Sequence, residues 1–254
     1  MKKTIHSTII LLCAVLLLNS CSKKYELNTS SHPVLFTSTV YDSLATYDAM
    51  GKPSNLVVPG DSIPAALAAL VIKTLPDHVN NVNSHPSLFK SDSAAVLNLK
   101  TKTDVYITLA AVTALYTNTL GFYTYPTSTP PVKAADITKI TYIFPNCQVT
   151  SAGGPLQPGD KVNIGTFPAG TSIGFVLLEH SWNQITHSIS TTTNHFCSAD
   201  ILNPEDDPNL KRHVVTIPYK NFTLISFEDN LRSDPKDDDD FNDVTVYATQ
   251  VPVN

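Results

Sequence analysis

The sequence predicts an all-β protein, an antiparallel β-sandwich of jelly-roll-like design, with a short N-terminal helix and a flexible lipidated tether. Hydrophobic residues make up 42% of the 254 residues, which is enough for a sizeable core. From about residue 100 onward, apolar and polar residues alternate with period two, and Pro- and Gly-containing turn signals separate the alternating runs. Several short strands at this spacing are typical of a β-sandwich.

The N-terminus has the features of a secretory signal. Lys2 and Lys3 precede an apolar run at Ile9–Leu18, which is too short to span a bilayer because a spanning helix needs about 20 residues. The run ends in Leu-Asn-Ser-Cys21, which is similar to the bacterial lipobox, in which the Cys is acylated. We therefore expect lipid attachment at Cys21, which would hold the chain at a membrane. The alternative is an ordinary signal with a chance Cys.

These features predict the organisation of the first part of the chain. Residues 1–20 are expected to be a lipoprotein signal peptide and residues 21–60 a polar tether, with one edge strand around Val34–Thr39. Because Ser22 follows Cys21 in place of an acidic residue, we expect the outer membrane or the cell surface as the location.

Residues 61–100 are predicted to form a short helical and irregular lead-in. Asp61 is a candidate capping residue and Pro64 suits the first turn of a helix over Ala65–Leu75, which Pro76 ends. A helix of this length is expected to pack on the sandwich, and the alternative for its Ala/Leu composition is membrane contact.

Residues 101–254 are predicted to be the sandwich domain. Its continuously apolar run Ile173–Leu178 is expected to be a central strand. The predicted strands are Val105–Ala110, Lys139–Phe144, Lys161–Gly165, Ile173–Glu179, His213–Pro218, Phe222–Phe227 and Val244–Gln250.

One short segment holds most of the net charge. The chain has a formal net charge of −5, and Glu228–Asp243 contains eight acidic and two basic residues, a local net of −6. A nucleic-acid partner is excluded, because phosphate binding requires clustered Lys and Arg.

The acidic segment has the spacing of a calcium loop. Asp238-x-Asp240-x-Asn242 fits the D-x-[DN]-x-[DN] pattern, and apolar strands are predicted on both sides of it. Carboxylates packed this closely repel one another, and a divalent cation removes the repulsion. A solvated acidic turn is the alternative. The predicted Ca²⁺ ligands are Glu228, Asp229, Asp238, Asp240, Asn242 and Asp243.

Two cysteines and the single tryptophan are further candidate residues. In an oxidising envelope compartment Cys147 and Cys197 could form a disulfide, and the alternative is two separate buried thiols. Trp182 could stack on a ligand, and the alternative is packing on the edge of the sandwich.

Several motifs resemble those of LruC-domain bacterial lipoproteins. The stretch Tyr116–Tyr125 is similar to the family's Y-x-N-x-L-G-Y-Y-x-Y, and Phe144-Pro145-Asn146 is a further match. The most specific part is the F-E-D of residues 227–229 with the D-x-D-F-N-D of residues 238–243. The resemblance covers roughly residues 75–250. It implies an envelope β-domain of uncharacterised activity and supplies no catalytic residues.

These observations predict a non-enzymatic, lipid-anchored, calcium-stabilised module of the cell envelope. Its role would be binding and adhesion, with a glycan or a matrix protein as partner, or it would be structural. The alternative is a metal-dependent hydrolase that acts on glycans or phosphoesters through the acidic loop. No convincing base, nucleophile or oxyanion donor is found near that loop in the sequence.

Overall fold

The computed structural model of the chain describes residues 36–90, 95–220 and 222–253. The predicted signal peptide and Cys21, the predicted lipid-attachment residue, lie outside the described residues, as does the first part of the predicted tether. Within the described residues no helix is long and apolar enough to cross a membrane.

The prediction of an all-β sandwich is confirmed. The strands are β1 Val40–Ser43, β2 Leu97–Asn98, β3 Thr103–Val112, β4 Thr119–Pro126, β5 Lys139–Phe144, β6 Lys161–Phe167, β7 Thr171–Leu178, β8 Trp182–Asn183, β9 Ser188–Ile189, β10 His195–Cys197, β11 Val214–Tyr219, β12 Phe222–Phe227 and β13 Val244–Pro252. The α-helices are α1 Ala65–Thr74 and α2 Asn81–Ser84. Short 3₁₀ helices lie at Pro86–Phe89, Ala134–Asp136, Thr150–Ala152 and Asp200–Leu202.

Two sheets form the sandwich. The first has the order β1-β5-β4-β7-β10, with β2 also paired to β7, and the second has the order β11-β12-β13-β3-β6. Apart from the parallel pair β1–β5, the pairs in these sheets are antiparallel. A separate hairpin joins β8 to β9. Alternating residues of β3, β6 and β12 meet those of β4 and β7 in a buried hydrophobic core.

Each sheet also carries a buried cluster outside this core. One cluster includes Tyr123, Ile140 and Val176 of the first sheet. The other includes Leu67 and Val71 of α1, which pack with side chains of β11, β12 and β13 in the second sheet. The helix predicted before the sandwich is therefore a packing helix.

Two details at the start of the domain differ from the sequence-based expectations. The helix α1 begins after Pro64 without a side-chain cap, because Asp61 instead accepts hydrogen bonds from Thr108 (2.8 Å) and Tyr247 (2.7 Å) of the second sheet. The first strand is Val40–Ser43, where the sequence suggested Val34–Thr39, and it hydrogen-bonds to β5. Part of the predicted tether therefore belongs to the sandwich.

The disulfide alternative for Cys147 and Cys197 is not what the structure contains. Both are free, buried cysteines, and they lie in two different hydrophobic clusters. This packing fits the alternative of separate buried thiols, and burial raises the pKa of the Cys147 thiol to about 12.

Candidate metal centre

The acidic segment is the connection between β12 and β13. Because Phe227 pairs with Val244 in the sheet, Glu228 and Asp243 leave the sheet beside each other. The backbone N–H of Asp229 donates to Asp243 Oδ2 at 2.9 Å, which closes the base of the loop. Near the C-terminal end of the loop, the ring of Phe241 is buried against side chains of the second sheet. The loop is therefore held to the domain at its base and at Phe241.

Two sets of three carboxylates come together in this loop, and they share one residue. In each set, one oxygen from every residue lies within 4.8 Å of the others. The shared residue is Glu228, which combines with Asp238 and Asp240 in the first set and with Asp229 and Asp243 in the second. Glu228, Asp229 and Asp240 are only 1%, 2% and 3% exposed. Oxygen-only donors of this kind suit a hard cation such as Ca²⁺.

Burial and mutual repulsion disfavour the charged forms of these carboxylates. Burial, together with the charge of Glu228, raises the pKa of Asp229 from 3.8 to about 8. Burial likewise raises the pKa of Asp240 to about 6 and holds the pKa of Asp243 well above its usual range. Without a metal, the loop at neutral pH must either keep some of these carboxylates protonated or tolerate the repulsion between their charges. A bound divalent cation removes the need for either.

Asp239 differs from its neighbours Asp238 and Asp240 in that its carboxylate already has a cationic partner. Asp239 has positive φ, and its carboxylate accepts from Arg232 Nε at 2.5 Å and from Asn80 Nδ2 at 2.9 Å. This aspartate is already neutralised by Arg232. Asp238 and Asp240, on either side of it, contribute to the first carboxylate set. As the D-x-D spacing predicts, the carboxylates of Asp238 and Asp240 lie close together, whereas the intervening Asp239 contacts Arg232.

The sixth predicted ligand, Asn242, is engaged in other contacts. Its Oδ1 accepts a short hydrogen bond from the Thr113 hydroxyl, and its Nδ2 donates to the Leu75 carbonyl at 3.1 Å. Its backbone N–H donates to Asp240 Oδ1 at 3.0 Å. Through these contacts Asn242 braces the loop and orients Asp240, and its role as a Ca²⁺ ligand stays a prediction.

Two residues beside the cluster were not among the predicted ligands. The backbone N–H of His78 donates to Asp240 Oδ2 at 3.0 Å, and His78 Nδ1 lies 2.8 Å from Asp238 Oδ2. Asp77, His78 and Asp240 form a further set of neighbouring metal-ligand atoms. The hydrogen bond to Asp238 and the nearby charge of Asp77 raise the pKa of His78. His78 lies 162 positions from Asp240, and no local motif links the two segments.

Asn118 connects the cluster to the first sheet. This fully buried side chain donates from Nδ2 to Asp229 Oδ2 at 2.5 Å and accepts from the backbone N–H of His180 at 2.8 Å. It is the Asn of the Y-x-N-x-L-G motif, so the structure gives that motif a physical reason: its amide orients one of the candidate ligands.

The cluster is reachable from solvent. A surface cleft of about 340 Å³ opens beside it, and Asp229, Asp238, Asp240 and Asp243 line this cleft together with Tyr116 and other residues. A cation could therefore enter, and coordination positions on the cleft side would remain available to water or to a ligand.

Fold and site together define a class of protein, an all-β sandwich with an acidic loop that brings candidate oxygen ligands together. A family model described as a domain of unknown function, DUF4114, matches residues 167–250. This part of the chain, about a third of its length, includes β7 to β12, the acidic loop and most of β13. The comparison with curated proteins found no match, and neither did the comparison with solved structures.

Proposed function

We propose that this protein is a non-enzymatic, lipid-anchored module of the cell envelope whose acidic loop binds calcium. The observation that carries the proposal is the pair of carboxylate sets that share the buried Glu228. Similarity to a domain of unknown function supports the β-domain and leaves the activity open.

Calcium is the cation that these donors favour. Carboxylate oxygens from Glu228 and four aspartates, with backbone carbonyls and water, can supply the six to eight oxygens that Ca²⁺ takes. The Asp237 Oδ1 atom is buried without a hydrogen-bond partner among the described residues, which adds a further candidate donor on the same loop. Because the two sets share Glu228, the loop offers positions for one ion or for two bridged ions.

The envelope location rests on the sequence. The signal-like N-terminus and Cys21 support a lipid anchor, and the resemblance to LruC-domain lipoproteins supports the same class. A calcium-stabilised sandwich on a lipid anchor suits binding and adhesion, or a structural role, at the outer membrane or the cell surface. A glycan or a matrix protein is the partner class.

Equilibrium dialysis against calcium tests the metal site. The wild-type chain should bind Ca²⁺ and Asp240→Asn should bind it at least about tenfold more weakly, since one charged ligand is lost. Asp206→Asn is the matched control, because Asp206 is exposed and lies outside the carboxylate sets. Equal binding by wild type and Asp240→Asn would contradict the proposal.

Membrane fractionation tests the anchor separately. The wild-type chain expressed in a bacterium with lipoprotein processing should be found in the membrane fraction, and Cys21→Ala should leave it. If Cys21→Ala stays membrane-bound to the same extent, the proposed lipid anchor is wrong, whereas the calcium site is unaffected by that result.

A further inference from the structure

The connection between α1 and α2 brings a nitrogen donor to the edge of the cleft beside the acidic loop. Asp77 and His78 lie in this connection, and Asp77, His78 and Asp240 each place one metal-ligand atom within 4.8 Å of the others. The side chains of His78 and Asp77 are 82% and 59% exposed, so an ion in solution reaches both directly. This set overlaps the proposed calcium sets only at Asp240.

The carboxylate of Asp240 is oriented toward this connection. Its Oδ2 atom accepts a hydrogen bond from the backbone N–H of His78 at 3.0 Å, and its Oδ1 atom accepts from the backbone N–H of Asn242 at 3.0 Å. The two oxygens therefore have different neighbours, and Oδ2 is the one on the His78 side. Asp77, His78 and Asp240 all line the cleft of about 340 Å³, through which a cation reaches the set.

The imidazole of His78 has a further carboxylate beside it. His78 Nδ1 lies 2.8 Å from Asp238 Oδ2, a distance at which one proton joins the two atoms. A zinc ion with bonds of about 2.0–2.2 Å to nitrogen and oxygen holds its ligand atoms about 3.3 Å apart at a tetrahedral angle. A cation can therefore take the place of the proton after a small movement of the exposed His78 side chain.

The nitrogen donor distinguishes this position from the calcium sets. Calcium takes oxygen ligands, so the His78 imidazole adds little to a calcium site. Imidazole nitrogen suits zinc, which also accepts carboxylate oxygen in a four-coordinate site. Once the three donors of the set are bound, the fourth position remains for Asp238 or for water from the cleft. The donor set therefore favours zinc at this position, with Asp240 as the ligand that it shares with the calcium sets.

We propose that Asp77, His78 and Asp240 form a zinc site at the rim of the cleft, separate from the calcium positions that share Glu228. Bound zinc would join the connection between α1 and α2 to the acidic loop, and His78 and Asp238 in these two segments are 160 residues apart in sequence. The proposal goes beyond the proposed function, because zinc binding at this position requires neither a lipid anchor nor calcium.

Equilibrium dialysis against zinc, in saturating calcium, tests the site. The purified chain should bind zinc saturably, and dialysis against calcium alone, run in parallel, shows whether the calcium sets are filled. Zinc binding by a chain that binds no calcium would contradict the proposed function and support the zinc site. The absence of saturable zinc binding, whatever the calcium result, would overturn the zinc site.

Variants at His78 and Asp77 locate the bound zinc. His78→Asn removes the imidazole but keeps the backbone N–H, and asparagine tolerates the positive φ of 57° at this position. His78→Asn and Asp77→Asn should each weaken zinc binding by at least about tenfold and leave calcium binding unchanged, since neither residue belongs to the calcium sets.

His187→Asn is the matched control for His78→Asn. His187 is also exposed and also has a positive φ, of 51°, and it lies outside the sets of metal-ligand atoms found among the described residues. Its replacement should leave zinc binding unchanged. Equal zinc affinity in wild type and His78→Asn, or an equal loss in His187→Asn, would overturn the assignment.

Nuclear magnetic resonance of the histidine side chains separates direct coordination from a distant effect. The imidazole nitrogen signals of His78 are identified by their absence from His78→Asn. In the calcium-loaded chain these signals should shift on addition of zinc, because the metal binds a ring nitrogen. Saturable zinc binding that leaves the His78 signals where calcium alone puts them would overturn the role of His78 as a ligand, and with it the proposed site.

Discussion

Glu228 is the residue on which the candidate metal centre depends. It belongs to both carboxylate sets, it is almost fully buried, and its Oε2 accepts from the Phe241 backbone N–H at 3.1 Å. Buried carboxylates without a cation are costly, because the low-dielectric interior strengthens their repulsion and removes hydration. The same arrangement becomes favourable when a divalent cation lies between them.

Glu228→Gln should therefore have opposite effects with and without calcium. In chelator the variant should be as stable as wild type or more stable, since one buried charge is removed. In calcium it should lose the stabilisation of wild type, which is about 2.7 kcal/mol at about a hundredfold excess of ion over the dissociation constant. Urea unfolding in both conditions measures this. A variant that is destabilised in chelator and still stabilised by calcium would contradict it.

The raised pKa values of the loop predict a pH dependence of the metal-free protein. The folded-state pKa values, about 6 for Asp240 and about 8 for Asp229, lie above the usual 3.8. Their contribution to stability is therefore complete below about pH 4 and is lost as the pH rises through 6 and 8. Calorimetric midpoints in chelator should fall over this range.

Two comparisons check the origin of that fall. The double variant Asp229→Asn with Asp240→Asn should flatten the pH dependence, because the titrating groups are gone. Calcium should flatten it in wild type, because the ion takes the place of the protons. A wild-type midpoint in chelator that rises from about pH 5 to about pH 8 would contradict the account.

The candidate ligands were predictable where the signal is local. The spacing of Asp238 and Asp240 identified two of them, and the left-handed backbone at the intervening Asp239 accompanies the contact of its carboxylate with Arg232. Asn242 fits the same spacing, and the structure adds contacts of its amide with Thr113 and Leu75, which leave no trace in the local pattern. His78 was missed for the same reason.

At the scale of elements, strands with clear alternation were predicted best. Lys139–Phe144 and Phe222–Phe227 have the predicted bounds. The strand Thr119–Pro126 was not among the predicted strands, because Thr119 and Gly121 interrupt its apolar run, although both are buried in the structure. The pairing of β1 with β5 was unpredictable from sequence, since it joins segments almost one hundred residues apart.

The short helix α2 should prove necessary for the acidic loop. Asn81 is fully buried and donates from Nδ2 to the Asp240 carbonyl at 2.7 Å, and its backbone N–H donates to the Asp239 carbonyl. Asn81→Ala should lower the free energy of unfolding by about 1–3 kcal/mol, because a buried carbonyl loses its partner. Calcium affinity should fall as well.

Asn83→Ala is the matched control for that experiment. Asn83 lies on the same helix and is exposed, so its replacement should change stability by less than about 0.5 kcal/mol. Chemical denaturation of both variants, with and without calcium, provides the comparison. Similar losses of stability in the two variants would contradict the role given to the hydrogen bonds of Asn81.

At the scale of the whole molecule, the acidic loop is continuous with the packing of the second sheet. Phe241 lies between candidate ligands in sequence, yet its ring is fully buried with the helix α1 and with β11 and β12. The Phe89 ring packs against it with 4.8 Å between centroids. The all-β class was predictable from the alternating pattern, whereas this junction of helix, sheet and loop required the tertiary structure.

Phe241→Ala should therefore destabilise the domain and weaken the metal site together. The loss of a buried phenylalanine costs about 3–5 kcal/mol, and the loop should lose the position of Asp240 beside it. Phe241→Leu keeps most of the apolar volume and is the control, with a smaller loss expected in both properties. Denaturation and calcium dialysis measure the two effects, and normal calcium affinity in a destabilised Phe241→Ala would contradict the coupling.

The central claim is that the loop between β12 and β13 is a calcium site of the folded domain. Differential scanning calorimetry of the purified chain, in excess calcium and in excess chelator, tests this claim most directly. Because calcium binds the folded loop and the unfolded chain scatters the ligands, the account predicts a higher unfolding midpoint in calcium. The same midpoint in both conditions would contradict it.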